Sequence, residues 1–273
     1  CAGSPSGDKE TPTENDDGLQ DSEGRPARFE TDAMCRDRAE AADVTFVLDV
    51  STSMTGELED IADGIEAIWE EADALDLDTR FRLVVYVDAV QVVGGCNRFR
   101  SASLLRQEFE AWAEFTSSNG QPDDSDVVNT DCEENTLDAL YAAATECEWR
   151  DDATHIAILA TDDTFKEKGE TLGSGSRFTA PGDGGVEVEQ RYDDVVEALE
   201  DEDIRLAVFA RKRANDGRCW GGANDVGDGF FSDYDGQASL PEATEGEAWR
   251  LEDVRDGDVS MTEAISTFID AQT

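Results

Sequence analysis

Asp49, Ser51 and Ser53 stand two residues apart in the stretch 43–56, DVTFVLDVSTSMTG. A carboxylate and two hydroxyls are all hard oxygen donors, suited to a hard divalent cation such as Mg2+ or Mn2+ rather than to a soft metal. Two more oxygen donors lie further along: Thr136 in EENTLDAL and Asp162, directly after ILAT. Nucleophilic chemistry is poorly supplied by comparison. The chain has one histidine, His155, at the start of an apolar run, where a structural role is expected. It has no Gly-x-Ser-x-Gly elbow and no phosphate-binding glycine loop. An aspartyl nucleophile at Asp49 would want a second Asp two residues on, where Ser51 stands. No enzymatic activity is therefore expected.

The elements around these residues read as alternating strands and helices. Val44–Leu48 is a strand-sized apolar run that ends at Asp49. From Thr55 to about Leu75, Leu58, Ile61, Ile65, Ile68 and Ala72 recur at spacings of three and four, which predicts an amphipathic helix with an acidic outer face. Phe81–Asp88 is too evenly apolar for a half-exposed strand and is expected in the sheet interior. Val90–Val93 reads as a short edge strand that turns at Gly94-Gly95. Helices are predicted at 102–115 and from Thr136 to about Cys147, the latter capped by Asn135. Strands follow at His155–Thr161 and Ile204–Ala210, with a helix through Tyr192, Val195, Val196 and Leu199 between them. Residues 163–185 and 211–247 read as loops, and Ala248–Leu251 as a last strand. A capping box, Ser260-x-x-Glu263, opens a terminal helix that buries Met261, Ile265, Phe268 and Ile269. Such alternation argues for an α/β fold with a mostly parallel sheet and helices on both faces, whose sites form at the carboxyl ends of the strands.

With Asp49-x-Ser51-x-Ser53 after the first strand, Thr136 at a helix start and Asp162 ending a later strand, the chain resembles the von Willebrand factor A (vWA) domains. The likeness extends over residues 42–272. It implies a Rossmann-like fold and a metal-ion-dependent adhesion site. Ser51, Ser53 and Thr136 would coordinate Mg2+ or Mn2+ through hydroxyls, and Asp49 and Asp162 would act mainly through water or hydrogen bonds. Neutral hydroxyls leave a divalent ion incompletely neutralised, so the open position suits a carboxylate from a partner. Thr52 replaces a frequent glycine of the motif without removing a ligand. Asp163 replaces another, and its negative charge favours the cation while opposing capture of a partner's carboxylate.

Acidic residues number 66 against 22 basic, giving a net charge of −44, and only Lys9, Lys166, Lys168 and Lys212 are lysines. So anionic a chain repels nucleic acid and anionic membrane at low salt, and neither is expected as a partner. The excess reads as a solvated coat for saline surroundings, since the Debye length at about 1 M salt is roughly 3 Å. A halophilic or marine source is expected; a specific cationic partner is the alternative. No apolar run approaches the roughly 20 residues of a membrane span.

Cys1, followed by Ala2-Gly3-Ser4 and a Ser/Pro/Gly/acid-rich stretch, is similar to the start of a mature prokaryotic lipoprotein. That implies lipidation of Cys1, residues 1–34 as a disordered tether, and residues 35–273 as the vWA domain, held at the cell envelope after export. Export permits disulfides among Cys35, Cys96, Cys132, Cys147 and Cys219. The expected strand order makes 132–219 and 96–147 reasonable pairs, with Cys35 able to replace either member of the second. Arg211-Lys212-Arg213, Trp220, Phe230, Phe231 and Tyr234 leave the sheet at the same edge as the metal motif, either as a recognition surface or as rings that pin the loop. The expected function is a cell-surface lipoprotein that binds a protein or matrix ligand through a divalent cation. The alternative is a metal-independent accessory or scaffolding module of an envelope assembly.

Overall fold

Nine consecutive buried residues, Ala41–Asp49, form β1, the centre of the molecule. The computed structural model describes residues 41–118, 133–172, 186–212 and 227–273, which lie within one compact unit, Ala39–Thr273. Lipidation of Cys1, the 1–34 tether, Cys35, Cys132, Cys219 and Trp220 lie outside the described residues.

Beside β1 run β2 (Asp78–Tyr86) and β4 (Thr154–Thr161), both parallel to it. A short antiparallel strand, β3 (Val90–Val92), closes one edge. On the other side lie β7 (Ile204–Ala210) and then β8 (Glu247–Arg250), both parallel. The order β3-β2-β1-β4-β7-β8 reverses direction between β1 and β4, which makes the crevice at their carboxyl ends the topological switch point.

Both faces of the sheet are covered, and the strand period of two sorts side chains between them. Val44, Phe46 and Leu48 of β1 join one apolar cluster, while Val47 joins the other. The first cluster takes in α1 (Thr55–Ala74), α2 (Ala102–Ser118), α6 (Leu251–Arg255) and α7 (Met261–Gln272). The second takes in α3 (Thr136–Glu146), α4 (Tyr192–Asp201) and α5 (Leu240–Ala243). Ser260 caps α7 as expected, its hydroxyl accepting from the Glu263 N–H at 3.3 Å.

Four local expectations need correction. Asn135 does not cap α3 through its side chain; its amide instead donates to the Asp88 carbonyl and the Asp138 carboxylate. The last strand is Glu247–Arg250, so Leu251 opens α6, a helix too short to show periodicity in sequence. The loop after β4 carries β5 (Thr171–Leu172), paired with β6 (Val186–Glu187). The carboxyl end of the 211–247 excursion holds α5.

Two close approaches fix the packing. A Cβ on Gly64 would stand 1.9 Å from the Thr262 hydroxyl of α7, and one on Gly246 would stand 2.0 Å from the Leu206 carbonyl oxygen. At the edge opposite the switch point, buried Asp43 pairs with Arg150 at 2.7 Å and Arg82 at 3.3 Å. Burial opposes ionisation of Asp43, but the hydrogen bonds and charges of the two arginines outweigh it and hold its carboxyl below the usual range. His155 is structural here: its ring nitrogens face the Glu202 and Arg150 carbonyls. Cys96 and Cys147 form the expected disulfide at this edge.

Candidate metal centre

The oxygen donors converge at the switch point because three chain segments end there. β1 delivers Asp49 and then breaks into a tight turn, where the Asp49 carboxylate accepts the Ser51 N–H at 2.7 Å. A single 3-10 turn, Thr52–Met54, leads directly into α1. That places the Ser51 and Ser53 hydroxyls 3.2 Å apart. β4 delivers Thr161 and Asp162. The Ser53 hydroxyl donates to Asp162 Oδ1 at 2.8 Å, and the Thr161 hydroxyl donates to Asp49 Oδ2 at 3.0 Å.

Thr136, the first residue of α3, is fully buried and joins less directly. Its hydroxyl donates to the Tyr86 phenol at 3.2 Å. Tyr86 ends β2, is itself buried, and also bonds with Thr161. A continuous polar chain thus runs Thr136–Tyr86–Thr161–Asp49–Ser51–Ser53–Asp162. Asp49, Ser51, Ser53 and Asp162 touch directly, and Thr136 is linked through two residues that the motif does not include. Tyr86 lay hidden at the end of an apolar run, and Thr161 reads as an ordinary strand residue.

The electrostatics are those of crowded, desolvated carboxylates. Burial, and then the neighbouring charge of Asp162, push the Asp49 carboxyl up to about 7. Burial also lifts Asp163 to about 7, and Asp162, Asp49 and Glu133 add repulsion. The phenol of Tyr86 is raised by burial and by Asp49. Amino-terminal ends of α1 and α3 face this region and offer partial positive charge. Three hydroxyls beside crowded, desolvated carboxylates form a donor set that fits a hard divalent cation. It is a hydroxyl-rich set; among the described residues no cluster of three or more His, Cys, Asp or Glu is arranged to hold a metal.

Two arginines reach the same place: Arg211, expected at this edge, and Arg255, which sequence reasoning missed. Arg255, at the end of α6, donates to Asp162 Oδ2 at 3.0 Å and to the Ser53 carbonyl at 3.2 Å, and pairs with Glu57 in the first turn of α1. Arg211, just beyond β7, stands 3.8 Å from Asp162. Burial disfavours the Arg255 cation, but the Glu57 and Asp162 carboxylates outweigh it and hold its pKa above the ordinary value. The position of Arg211 directly after a strand signalled its place at this edge, whereas nothing local in the sequence signalled Arg255.

The aromatic residues of the excursion pack inward. Phe230 is buried and lies in a ring cluster with Phe165, Tyr192 and Tyr234. Tyr192 donates to the Ala238 carbonyl at 2.8 Å. Of the two readings of these rings, pinning applies to Phe230 and Tyr234; Phe231 is half-buried beneath Lys212.

No family model matches the sequence, and no curated protein matches it. Among solved structures, an aerotolerance-related membrane protein from Bacteroides fragilis, carrying multiple mutations to serine, superposes with a TM-score of 0.50 at 11% identity. That alignment covers 85% of this chain and 100% of the other. A proximal thread matrix protein from the mussel byssus aligns with a TM-score of 0.45 at 15% identity, over 85% of this chain and 46% of its own. At such identities the likeness is one of fold. The strand order and two-sided helical cover define a Rossmann-like, vWA-like α/β fold.

Proposed function

We propose that this chain is a cation-dependent binding module that captures a protein or matrix ligand through a carboxylate placed on Mg2+ or Mn2+. Ser51, Ser53 and Thr136 hold the ion through hydroxyls, and Asp49 and Asp162 hold it through water or hydrogen bonds. The observation that carries this reading is the Asp49–Ser51–Ser53–Asp162 hydrogen-bonded set, gathered at the switch point around two buried carboxylates. Ser53 and Thr52 are exposed, so the set opens to solvent on one side. The proposal extends to a place at the cell envelope, a reading supported by the fold shared with an aerotolerance-related membrane protein. No described helix is long and apolar enough to cross a membrane.

A second reading, a metal-independent accessory or scaffolding module, draws on Arg255, which already supplies Asp162 with a cation. Thermal unfolding in about 1 M KCl, with surface charge screened, separates the two. A ligand at 100 times its dissociation constant stabilises by about 2.7 kcal/mol, several degrees for a domain of this size. Millimolar Mg2+ or Mn2+ is expected to raise the transition of the wild type but not of Asp49→Ala. If neither protein shifts, the metal reading is wrong and the scaffolding one stands.

A further inference from the structure

The positive charge nearest to Asp162 belongs to the protein itself. Arg255 is held by both ends of its guanidinium. Nε lies on the Glu57 carboxylate, and Nη2 lies 3.0 Å from Asp162 Oδ2 and 3.2 Å from the Ser53 carbonyl oxygen. Glu57 and Asp162 are 4% and 3% exposed, but Arg255 is 30% exposed. The guanidinium therefore caps two buried carboxylates from the solvent side and has a route by which to leave. Its backbone is firmly placed, because Leu251 and Val254 of the same short helix pack into the core.

The contact engages the donor set as well as the fold. Both Asp162 oxygens are taken, Oδ1 by the Ser53 hydroxyl and Oδ2 by Arg255. An ion drawing on Ser53 and Asp162 meets a fixed cation on the same carboxylate. Among the described residues Asp49 has no such partner: its carboxylate is met by the Ser51 N–H and the Thr161 hydroxyl. The site is thus lopsided, with one carboxylate neutralised from within and the other not.

We infer that Arg255 is a tethered counter-cation that competes with the divalent ion for Asp162 and so sets the affinity of the site. This rests on the metal reading above. In the metal-free protein the arginine keeps the loops after β1 and β4 together. When an ion binds, Asp162 is shared between the ion and Arg255, and Arg255 retains Glu57. The bound ion then receives less negative charge from Asp162 and remains the stronger acceptor for a ligand's carboxylate. Glu57, by holding the guanidinium in place, is the positioning residue of this device.

The test is a Mn2+ titration of the full chain, with free Mn2+ read by electron paramagnetic resonance in about 1 M KCl. The salt screens the diffuse cation cloud of a −44 chain. Wild type, Arg255→Gln, Arg255→Lys and Ser51→Ala are compared, the last fixing the background. Arg255→Gln is expected to bind Mn2+ about tenfold tighter or more, the scale of one nearby like charge even at high effective dielectric. Arg255→Lys, which keeps the charge, is expected within about threefold of wild type on the same grounds. In EDTA, Arg255→Gln is expected to unfold at lower temperature, so its gain in affinity does not come from a sturdier fold. Should that variant fail to fold, Glu57→Gln with Arg255→Gln removes the pair together and is expected to show the same gain. Wild-type binding above background with unchanged or weaker binding by Arg255→Gln and by the double variant overturns the inference and leaves the metal reading intact. No binding above background by any of the proteins overturns both.

Discussion

Asn in place of Asp49 removes one charge from the buried cluster while preserving shape. The amide oxygen can accept the Ser51 N–H, and the amide nitrogen can donate to the Thr161 hydroxyl, so both contacts of the carboxylate have substitutes. In the metal-free fold the Asp49 carboxyl titrates at about 7, against 3.8 for the free side chain. The fold therefore holds this proton more tightly than the unfolded chain does. The corresponding stability is fully present below the unfolded value and is lost as pH rises through the folded one. The cost of ionisation is on the order of 4 kcal/mol by about pH 8, at 1.36 kcal/mol per pH unit. Urea unfolding, followed by tryptophan fluorescence in EDTA and about 1 M KCl, is the assay. Relative to Asp49→Asn, the wild type should lose stability steadily from about pH 4 to about pH 7 and level off above. Asp163 titrates in the same range and is common to both proteins; burial, the main cause of its rise, cancels in the difference, while the part due to Asp49 is removed with it. Saturating Mg2+ should reverse the order above neutrality, because the ionised Asp49 supports the ion and the variant keeps only Asp162 of the motif's two carboxylates. Parallel profiles in EDTA would refute the reasoning, since Asp49 would then be no burden on the fold.

Two further outcomes concern the scaffold that places the site. Gly246→Ala puts a Cβ against the Leu206 carbonyl; detaching β8 from β7 should cost about 3 kcal/mol or more, read as a fall in the urea midpoint. Replacing Cys96 and Cys147 together by Ser releases a cross-link spanning 51 residues, with an expected loss of about 4 kcal/mol and little change in Mn2+ binding, because the bridge lies at the far edge.

What could be read in the sequence was local. β1, β2, β4 and β7 are buried on both faces over most of their length, so largely apolar runs mark their strands, and α1 and α7 show their burial at spacings of three and four. Asp49, Ser51 and Ser53 belong to one turn, and their spacing alone announces a shared site. Thr136 and Asp162 could be placed because each sits at the end of a recognisable element. What could not be read was contact across the chain: Arg255 lies 93 residues from Asp162 and 198 from Glu57, and nothing in LEDVR marks it. Tyr86 was masked by its apolar neighbours, since a phenol that ends a buried strand looks like any other ring. Asn135 misled for a related reason. Its amide has two roles open to it, and the Asp88 carbonyl and Asp138 carboxylate selected donation.

The position of β1 has a mechanical consequence. It enters the sheet at the edge bearing Asp43 and finishes at Asp49, with β2 and β4 bonded along almost its whole length on either side. A load applied at Ala41 and resisted at Ser51 or Ser53 would run along the strand axis. Both ladders would then be strained in shear, with many hydrogen bonds sharing the force at once instead of opening one after another. A grip at the switch point and a pull from the opposite edge are aligned with the stiffest direction of this sheet.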